Sequence, residues 1–358
     1  MELLSVTMND GVKPRSEIEG KDNSSEDKSN YKIVRKGDMV YNSMRMWQGA
    51  NGISPCDGIV SPAYTVLMPK QEINNGYFAA LFKSANLINE FRKNSQGMTS
   101  DTWNLKYPQI ETIKIQIPSV SEQDKVSELF GVLDARIVAQ TQLVESLKKY
   151  KRGLLREIFA KLSESCENRK LKDVSVLFAD GDWIESKDQA SDGIRLIQTG
   201  NVGFGMYLDK PQNAKYISDD TFHRLNCLEI YAGDILISRL PEPAGRACLL
   251  PKSTERRITA VDCTVIRTDA SVIDRNYLLQ FLCSEQYLKT VNSFLAGGTR
   301  QRISRKNLEG IEVPYPSIDK QEYYGDFLCK VDTLVFNEEQ RLSYITRLRC
   351  FMLQRLFI

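Results

Sequence analysis

Features that define several classes of protein are scarce or missing in this sequence. Its 358 residues contain one histidine, His223, and no nucleophile motif accompanies it. There is no GxxxxGK[ST], no GxGxxG after a strand, no HExxH and no Asn/Asp-Pro-Pro-aromatic motif. The common phosphate-loop, dinucleotide, zinc-protease and amino-methyltransferase sites are therefore excluded. No run of about 18 apolar residues occurs, which excludes a membrane-spanning helix.

The cysteine pattern and the overall charge exclude further classes of protein. Eight cysteines are scattered singly with no CxxC, which indicates reduced thiols in a cytoplasmic protein without a zinc site. The start, MELLSVTMNDG, turns polar too early for a signal peptide. Lys and Arg total 48 against 46 Asp and Glu, a net charge of +2. This balance excludes a protein held to DNA by overall charge, although it permits local basic patches. No metal or cofactor is expected.

The second half of the chain repeats the first. Residues 118–159 align without gaps onto residues 316–357 at an offset of 198, with 7 of 42 positions identical. The identical pairs include Pro118/Pro316, Gln123/Gln321, Asp134/Asp332 and Phe159/Phe357. Upstream, KGDMV at 36–40 matches AGDIL at 232–236, Thr65–Leu67 matches Thr264–Ile266, and Leu4–Val6 matches Ile197–Thr199. A period this long indicates a duplicated domain rather than a solenoid array.

The repeat predicts an α+β fold with two mixed domains, each followed by a long helix. The expected ranges are 1–117 and 163–315 for the mixed domains, and 118–162 and 316–358 for the helices. Asp38–Tyr41 and Asp234–Ser238 are typical of strands. Tyr77–Lys93 and Asn276–Phe294 have helical periodicity, and Lys13–Asn30 is polar enough for an exposed loop.

The two long helices carry matching apolar stripes in steps of four and three. The first stripe runs from Val126 to Ile158, and adding 198 gives a stripe from Tyr324 to Leu356 that agrees in class at all ten positions. Each helix is about 60 Å long, more than a domain of this size covers, so we expect an antiparallel coiled coil. The alternative is that each helix packs only on its own domain. The polar positions in the stripes are Gln140, Lys151, Glu338 and Arg349.

These four polar positions predict how the helices align. An unpaired charge in a paired seam costs several kcal/mol, and a parallel arrangement would set Lys151 beside Arg349. An antiparallel arrangement instead allows Lys151 to meet Glu338 and Gln140 to meet Arg349. We therefore predict these two pairs.

The chain resembles the specificity subunit of type I restriction–modification systems. The resemblance lies in the order and the duplication of five stretches: KGDMVYNSMRMWQGANGIS, AGDILISRLPEPAGRACLLP, GGTRQRISRKNLEGIEVPYPS, and the helix starts PSVSEQDKV and PSIDKQEYY. The resemblance implies that each mixed domain reads one half of a bipartite double-stranded DNA target and that the coiled coil sets the spacing. It also implies two modification subunits that methylate adenine with S-adenosylmethionine, restriction subunits that cleave, and no catalytic residue in this chain.

Arg, Asn and Gln are the residue types that read bases, and Lys, Ser and Thr hold phosphates. The candidates in the second half are Thr199, Asn201, Arg239, Arg246, Thr299, Arg300, Gln301, Arg302, Arg305 and Lys306. Those in the first half are Asn42, Arg45, Trp47, Gln48 and Asn51, with Thr99, Ser100, Trp103, Asn104 and Lys106. For any one of them, the alternative is a solvated surface charge or a buried aromatic ring.

The two halves differ at one point. Leu171–Ile194 has no counterpart before Met1, so the first domain is expected to be shorter by about 25 residues than the pattern of the family. Two other functions stay open at this stage: a coiled-coil scaffold that binds proteins without DNA specificity, and a nuclease or methyltransferase with an unrecognised active site.

Overall fold

The structure is a computed structural model, and it describes residues 1–8, 10–22, 24–99, 102–295 and 301–357. It divides into two compact units. The terminal unit comprises Met1–Leu143 and Glu339–Ile358, and the central unit comprises Val144–Glu338. Both unit boundaries fall within the two long helices.

The terminal unit contains two small sheets and three short helices before the first long helix. Its elements are β1 (Glu2–Val6), β2 (Val12–Pro14), β3 (Lys32–Val34), β4 (Met39–Asn42), β5 (Asn51–Ile53), β6 (Gly58–Val60), β7 (Tyr64–Leu67), α1 (Asn75–Leu81), α2 (Ala85–Asn94), α3 (Tyr107–Ile110) and α4 (Val120–Ser165), of which α4 belongs to this unit as far as Leu143. The strand orders are β2-β1-β6-β3, in which β1 and β6 are parallel, and β5-β4-β7, which is antiparallel.

The central unit repeats this plan with additional strands. Its elements are β8 (Asn168–Lys170), β9 (Leu177–Asp180), β10 (Ile194–Ile197), β11 (Lys215–Ile217), α5 (Asp219–Leu225), β12 (Glu229–Ile230), β13 (Ile235–Ser238), β14 (Ala247–Leu249), β15 (Arg257–Thr259), β16 (Cys263–Arg267), α6 (Arg275–Leu282), α7 (Glu285–Ser293), α8 (Arg305–Glu309), β17 (Glu312–Pro314) and α9 (Ile318–Arg355). The strand orders are β11-β10-β15-β12, β14-β13-β16-β9 and β17-β8.

The registers of the strands confirm the repeat. Leu3 lies opposite Ile59 in the parallel pair of the terminal unit, and Leu196 lies opposite Ile258 in that of the central unit. The offset of 193 between Leu3 and Leu196 is the one that the sequence match of 4–6 with 197–199 predicts. The predicted strands at 38–41 and 234–238 are also confirmed, as β4 and β13.

The same turn precedes β4 and β13. Gly37 and Gly233 have φ angles of 92° and 95°, a conformation that residues with a Cβ rarely adopt. Each following aspartate closes the turn, because the Asp38 carboxylate accepts from the Arg35 N–H and the Asp234 carboxylate from the Tyr231 N–H, both at 2.8 Å. The Gly-Asp match in the sequence therefore reflects a turn that starts a buried strand.

The two stretches with helical periodicity are helical in the structure. Tyr77–Lys93 and Asn276–Phe294 each contain two helices, because Ser84 and Ser284 end the first helix and cap the second. Periodicity alone does not detect this break, since apolar residues continue on both sides of it. The predicted loop at 13–30 contains the end of β2 and a single turn of 3-10 helix at Arg15–Glu17.

The apolar stripes of α4 and α9 are confirmed as the buried faces of these helices. All ten stripe positions of α4 are buried or half-buried, and so are nine of α9. The exception is Leu356, which is 44% exposed; Leu353 and Phe357 are buried near that end instead. In the terminal unit Phe130 stacks on Phe357 and Asp134 binds Arg349, so the helix segments of this unit run antiparallel.

The structure gives the predicted polar positions other ion-pair partners than the sequence suggested. Lys151 binds Asp332 in the central unit, and Arg349 binds Asp134 in the terminal unit. Asp332 precedes the predicted partner Glu338 by six residues, or about 9 Å along a helix. Gln140 and Glu338 are both buried. The prediction read only the apolar stripe, whereas the two aspartates flank it.

Candidate nucleic-acid interface

In each unit a backbone hydrogen bond joins the two segments that contain candidate DNA-reading residues. The Leu105 N–H donates to the Ser43 carbonyl at 2.8 Å in the terminal unit. The Ile303 N–H donates to the Arg239 carbonyl at 3.3 Å in the central unit. Leu105 and Ile303 are separated by the repeat offset of 198, and both are fully buried. The candidates before and after these residues are therefore held close together in both units.

Two candidate arginines of the central unit turn out to be structural. The Arg246 guanidinium donates to four backbone carbonyls, at 2.8 to 3.0 Å, those of Thr199, Val202, Leu240 and Pro243. Burial lowers the pKa of Arg246 from its usual range. Arg239 is buried, donates to the Val261 carbonyl and lies 3.5 Å from an Asp180 carboxylate oxygen. These guanidiniums hold loops in place and are not available to a DNA base.

Asn201 and Thr199 are engaged in the same loop structure. The Asn201 side chain accepts from the Gln198 N–H and donates to the Leu208 carbonyl, both at 3.0 Å. Thr199 gives its carbonyl to Arg246. The amide of Asn201 thus stabilises a turn, and one N–H and one lone pair of this amide stay unused, so its role as a base-reading group stays a prediction.

The remaining described candidates of the central unit are exposed. Gln301, Arg302, Arg305 and Lys306 lie around the start of α8, where the Ser304 hydroxyl caps the helix. Arg302 is 3.6 Å from Asp262, and Arg305 is 3.1 Å from Glu309. Pairs at such exposed positions are worth about 0–1 kcal/mol and yield readily to a phosphate. Thr299 and Arg300 lie outside the described residues.

Lys306 differs from its two arginine neighbours. It is exposed and forms no ion pair with a residue that the structure describes. Its ammonium group is therefore free to bind a phosphate without first leaving another partner. The start of α8 therefore presents three cations, Arg302, Arg305 and Lys306, of which the two arginines form only weak surface ion pairs.

In the terminal unit the two candidate segments meet through aromatic rings. The Trp47 and Trp103 rings pack edge to face, with centroids 5.1 Å apart. The Arg92 guanidinium lies 5.9 Å from the centre of the Trp47 ring, and the indole N–H of Trp47 donates to the Met44 carbonyl at 3.2 Å. Arg92 was missed from the sequence, because its proximity to Trp47 comes from the packing of α2.

The other candidates of this unit divide by exposure. Arg45, Thr99 and Lys106 are exposed, and Gln48 is half-buried. Asn42 closes a turn by accepting from the Met44 N–H at 3.1 Å, and Asn51 is buried with its amide on the Gly49 carbonyl, which corrects the expectation for it. Ser100 lies outside the described residues.

Asn104 shares one feature with Asn51. The side-chain oxygen of each is buried and accepts no hydrogen bond from any described group. Leaving such an oxygen unsatisfied costs about 1–3 kcal/mol, but neither oxygen is exposed to a ligand.

One further aromatic residue was missed by the sequence analysis. Trp183 is 69% exposed and follows Asp182, whose carbonyl accepts from the Val261 N–H at 2.9 Å. Val261 in turn accepts from Arg239, so Trp183 lies at the same end of the sheets as the arginine loop. Its segment has no counterpart in the first half, so the repeat gives no signal for it.

Among the described residues no group of three His, Cys, Asp or Glu side chains could hold a metal ion. None of the described helices is long and apolar enough to cross a membrane.

The fold and the hydrogen bond shared by the two units define a duplicated α+β protein, and comparison with known proteins identifies its family. The family model described as "Type I restriction modification DNA specificity domain" matches residues 5–149 and 163–347. Since the two matches cover most of the chain, the protein belongs to this family.

Named relatives agree with this assignment. The chain is 24% identical over 324 residues to the type I restriction enzyme MjaVIII specificity subunit of Methanocaldococcus jannaschii, covering 85% of this chain and 74% of that protein. It is 21% identical to the putative MjaX specificity subunit of the same organism, covering 72% of this chain and 61% of that protein.

Solved structures share the fold. A chain from a study of complex assembly and conformational transition of the type I R-M system is 18% identical, with a TM-score of 0.59, and covers 93% of this chain and 84% of that chain. The S subunit of a type I restriction–modification system from M. genitalium is 16% identical, with a TM-score of 0.57, and covers 91% and 84%.

Proposed function

We propose that this chain is the non-catalytic DNA-recognition subunit of a type I restriction–modification complex. In this proposal residues 1–117 and 163–315 are two target-recognition domains, and each reads one half of a bipartite target. The observation that carries it is the shared hydrogen bond, from Leu105 to Ser43 and from Ile303 to Arg239, which sets equivalent polar loops together in both units. Two equivalent reading surfaces on one chain suit a target in two parts.

The two candidate surfaces suit DNA in different ways. The surface at the start of α8 in the central unit offers charge, and the surface around Trp47 and Trp103 in the terminal unit offers aromatic and polar contact. Arg302, Arg305 and Lys306 offer exposed cations to phosphates or guanines. The edge-to-face Trp47–Trp103 pair offers apolar contact, and the exposed Arg45 and Lys106 of the same two segments offer polar contact. The two halves of the target would then differ in sequence, since the two surfaces differ in chemistry.

The partners follow from the same proposal. Two modification subunits would dock on the helices 118–162 and 316–358 and methylate adenine with S-adenosylmethionine, and restriction subunits would join them in the cytoplasm. The helices would set the spacer between the two halves. The chain itself would hold no cofactor.

The test is methylation by the assembled complex. The chain should be co-expressed with the modification subunit from its own operon, purified, and incubated with S-adenosylmethionine and genomic DNA, and methylated adenines should be mapped. We expect one split sequence with a fixed spacer, and no methyl transfer by this chain alone. Methyl transfer by the isolated chain, or methylation without a common sequence, would rule out this function.

A further inference from the structure

The chain contains three tryptophans, and the two units take them from different segments. Trp47 and Trp103 pack together in the terminal unit. Their counterparts in the central unit, at offsets of 196 and 198, are Pro243 and Gln301, so neither position there holds an aromatic ring. Trp183 gives the central unit a tryptophan from another segment, and it is 69% exposed.

The residues on either side of Trp183 are fixed in the central unit. The Asp182 N–H donates to the Thr259 carbonyl at 2.8 Å, and Ile184 packs against the buried cluster that contains Ile194. Asp182 and Ile184 are half-buried, whereas Trp183 between them is exposed. Adjacent side chains of an extended segment point to opposite sides, so the inward position of Ile184 turns the tryptophan outward.

The ring of Trp183 is also held in place. Its indole N–H, the one donor of this side chain, donates to a Glu185 carboxylate oxygen at 3.3 Å. The other oxygen of this carboxylate binds Lys187 at 2.8 Å, which balances its charge. The Glu185 N–H in turn donates to the buried Asp188 carboxylate at 3.2 Å. A ring that is fixed before binding loses little conformational entropy when it meets a ligand.

Backbone contacts place Trp183 beside the exposed cations at the start of α8. The Val261 N–H donates at 2.9 Å to the carbonyl of Asp182, the residue before the tryptophan. The residue after Val261 is Asp262, whose carboxylate lies 3.6 Å from the Arg302 guanidinium. Two consecutive residues therefore connect the segment of Trp183 to Arg302.

This arrangement suits one feature of duplex DNA. In the major groove, base edges present donors and acceptors, and thymine also presents its C5 methyl group. Arg302 and Arg305 can bind the polar groups of guanine. Because Glu185 engages the indole N–H, the exposed ring of Trp183 offers apolar contact. The thymine methyl is the apolar group that the base edges present to such a ring.

We propose that Trp183 is a specificity-determining residue of the central unit, and that its ring contacts the C5 methyl of one thymine in the half-sequence that this unit reads. The inference rests on the proposed function of the chain in DNA recognition. It adds a base type that the neighbouring cations do not select, since arginine and lysine favour guanine or phosphate.

Replacement of thymine by deoxyuridine tests the contact, since the two bases differ in the methyl group alone. The complex of this chain with its modification subunits should be titrated with duplexes of its mapped target, in which each thymine is replaced in turn. One replacement should weaken binding by about fourfold, as expected for the loss of one apolar carbon from a contact. This thymine should lie in the half-sequence that Trp103→Ala leaves unchanged.

Variants of Trp183 assign the effect to its ring. Trp183→Ala should weaken binding of the unmodified target by about tenfold. In this variant the sensitive deoxyuridine should change binding by less than about 1.5-fold, because the methyl group has lost its partner. Trp183→Phe keeps an apolar ring without the N–H, so it should stay sensitive to the methyl group.

Tyr231→Ala is the matched control. Tyr231 is an aromatic residue of the same unit and is 52% exposed. It precedes β13, whereas Arg239 and the reading loop follow that strand, so it lies at the other end of the strand. This variant should leave both the affinity and the deoxyuridine effect unchanged.

Four results would overturn this inference while leaving the proposed function in place. They are a mapped target in which no deoxyuridine weakens binding, an effect of deoxyuridine that persists in Trp183→Ala, its loss in Trp183→Phe, and failure of Trp183→Ala to assemble with the modification subunits. The last result would assign the ring to a protein contact. Methylation without a common sequence would overturn the proposed function, and this inference with it.

Discussion

Lys151 and Asp332 form in the central unit the ion pair that Arg349 and Asp134 form in the terminal unit. The two pairs are equivalent in the repeat, because 198 positions separate Lys151 from Arg349 and Asp134 from Asp332. Each links α4 to α9 within its own unit. The Lys151 side chain is 15% exposed, and the second carboxylate oxygen of Asp332 accepts from Gln280 at 2.7 Å. The pair is therefore part of a partly buried network.

The Lys151–Asp332 pair should couple in a double-mutant cycle. Lys151→Met should lower the free energy of unfolding by about 1–2 kcal/mol, because it leaves Asp332 charged without its cation. Adding Asp332→Asn should restore part of the loss, since the neutral amide needs no counter-ion. Urea unfolding of the four proteins measures this. The control cycle is Lys151→Met with Glu338→Gln, and stronger coupling there would favour the sequence-based pairing over the structural one.

Substitutions of Arg246 and Lys306 should affect different properties: the first should lower stability, and the second should weaken DNA binding. Arg246→Ala should lower the free energy of unfolding by about 2 kcal/mol or more, because four carbonyls lose their donor. Lys306→Ala should change it by less than about 0.5 kcal/mol and should lower the salt dependence of DNA binding by about one counterion. Urea unfolding and binding at several salt concentrations measure both. An Arg246→Ala protein of unchanged stability would contradict the structural role.

The identical residues of the repeat show why the fold could be predicted from the sequence. Gln123 donates to the Pro118 carbonyl and accepts from the Asn74 N–H, and Gln321 does the same with Pro316 and Asp274. Each glutamine ties the start of a long helix to the helix packed against it. Such a residue is retained by its local geometry, so a weak sequence repeat marks a strong structural one.

The candidate site could be predicted less well, since exposure depends on contacts that are distant in sequence. Arg246 and Arg302 look alike in the sequence, yet the carbonyls of Thr199 and Val202, which precede Arg246 by more than 40 residues, engage only the first. Charge and residue type select the candidate loops. They do not tell whether a guanidinium meets a phosphate or a backbone carbonyl, because that depends on how the loops fold together.

The Trp47–Trp103 contact should matter for one half of the target only. Trp103→Ala removes an edge-to-face pair worth about 0.5–1.5 kcal/mol beyond its buried area, so stability should fall modestly. If the terminal unit reads DNA with this surface, specificity should relax in one half-sequence while the other half is kept. Methylation mapping with the modification subunit measures this. Trp183→Ala in the central unit is the matched control, and it should leave that same half-sequence unaltered.

The boundary between the two units offers a site for changing the spacer. It falls between Leu143 and Val144 in α4 and between Glu338 and Glu339 in α9. Both helices run through it without interruption. An insertion here therefore lengthens the helices and leaves the sheets and loops of each unit unchanged.

Insertion of one heptad into both helices at this boundary should lengthen the preferred DNA spacer and preserve each half-sequence. Seven residues keep an apolar stripe of period 3.5 in phase and add about 10.5 Å of helix. Base pairs are about 3.4 Å apart, so a spacer longer by about three base pairs is expected. Methylation mapping with the modification subunit reads both features at once. Insertion of five residues is the control, because it turns the stripe out of phase and should destabilise the protein. A heptad variant that methylates DNA with the original spacer would show that the helices do not set the distance between the half-sequences.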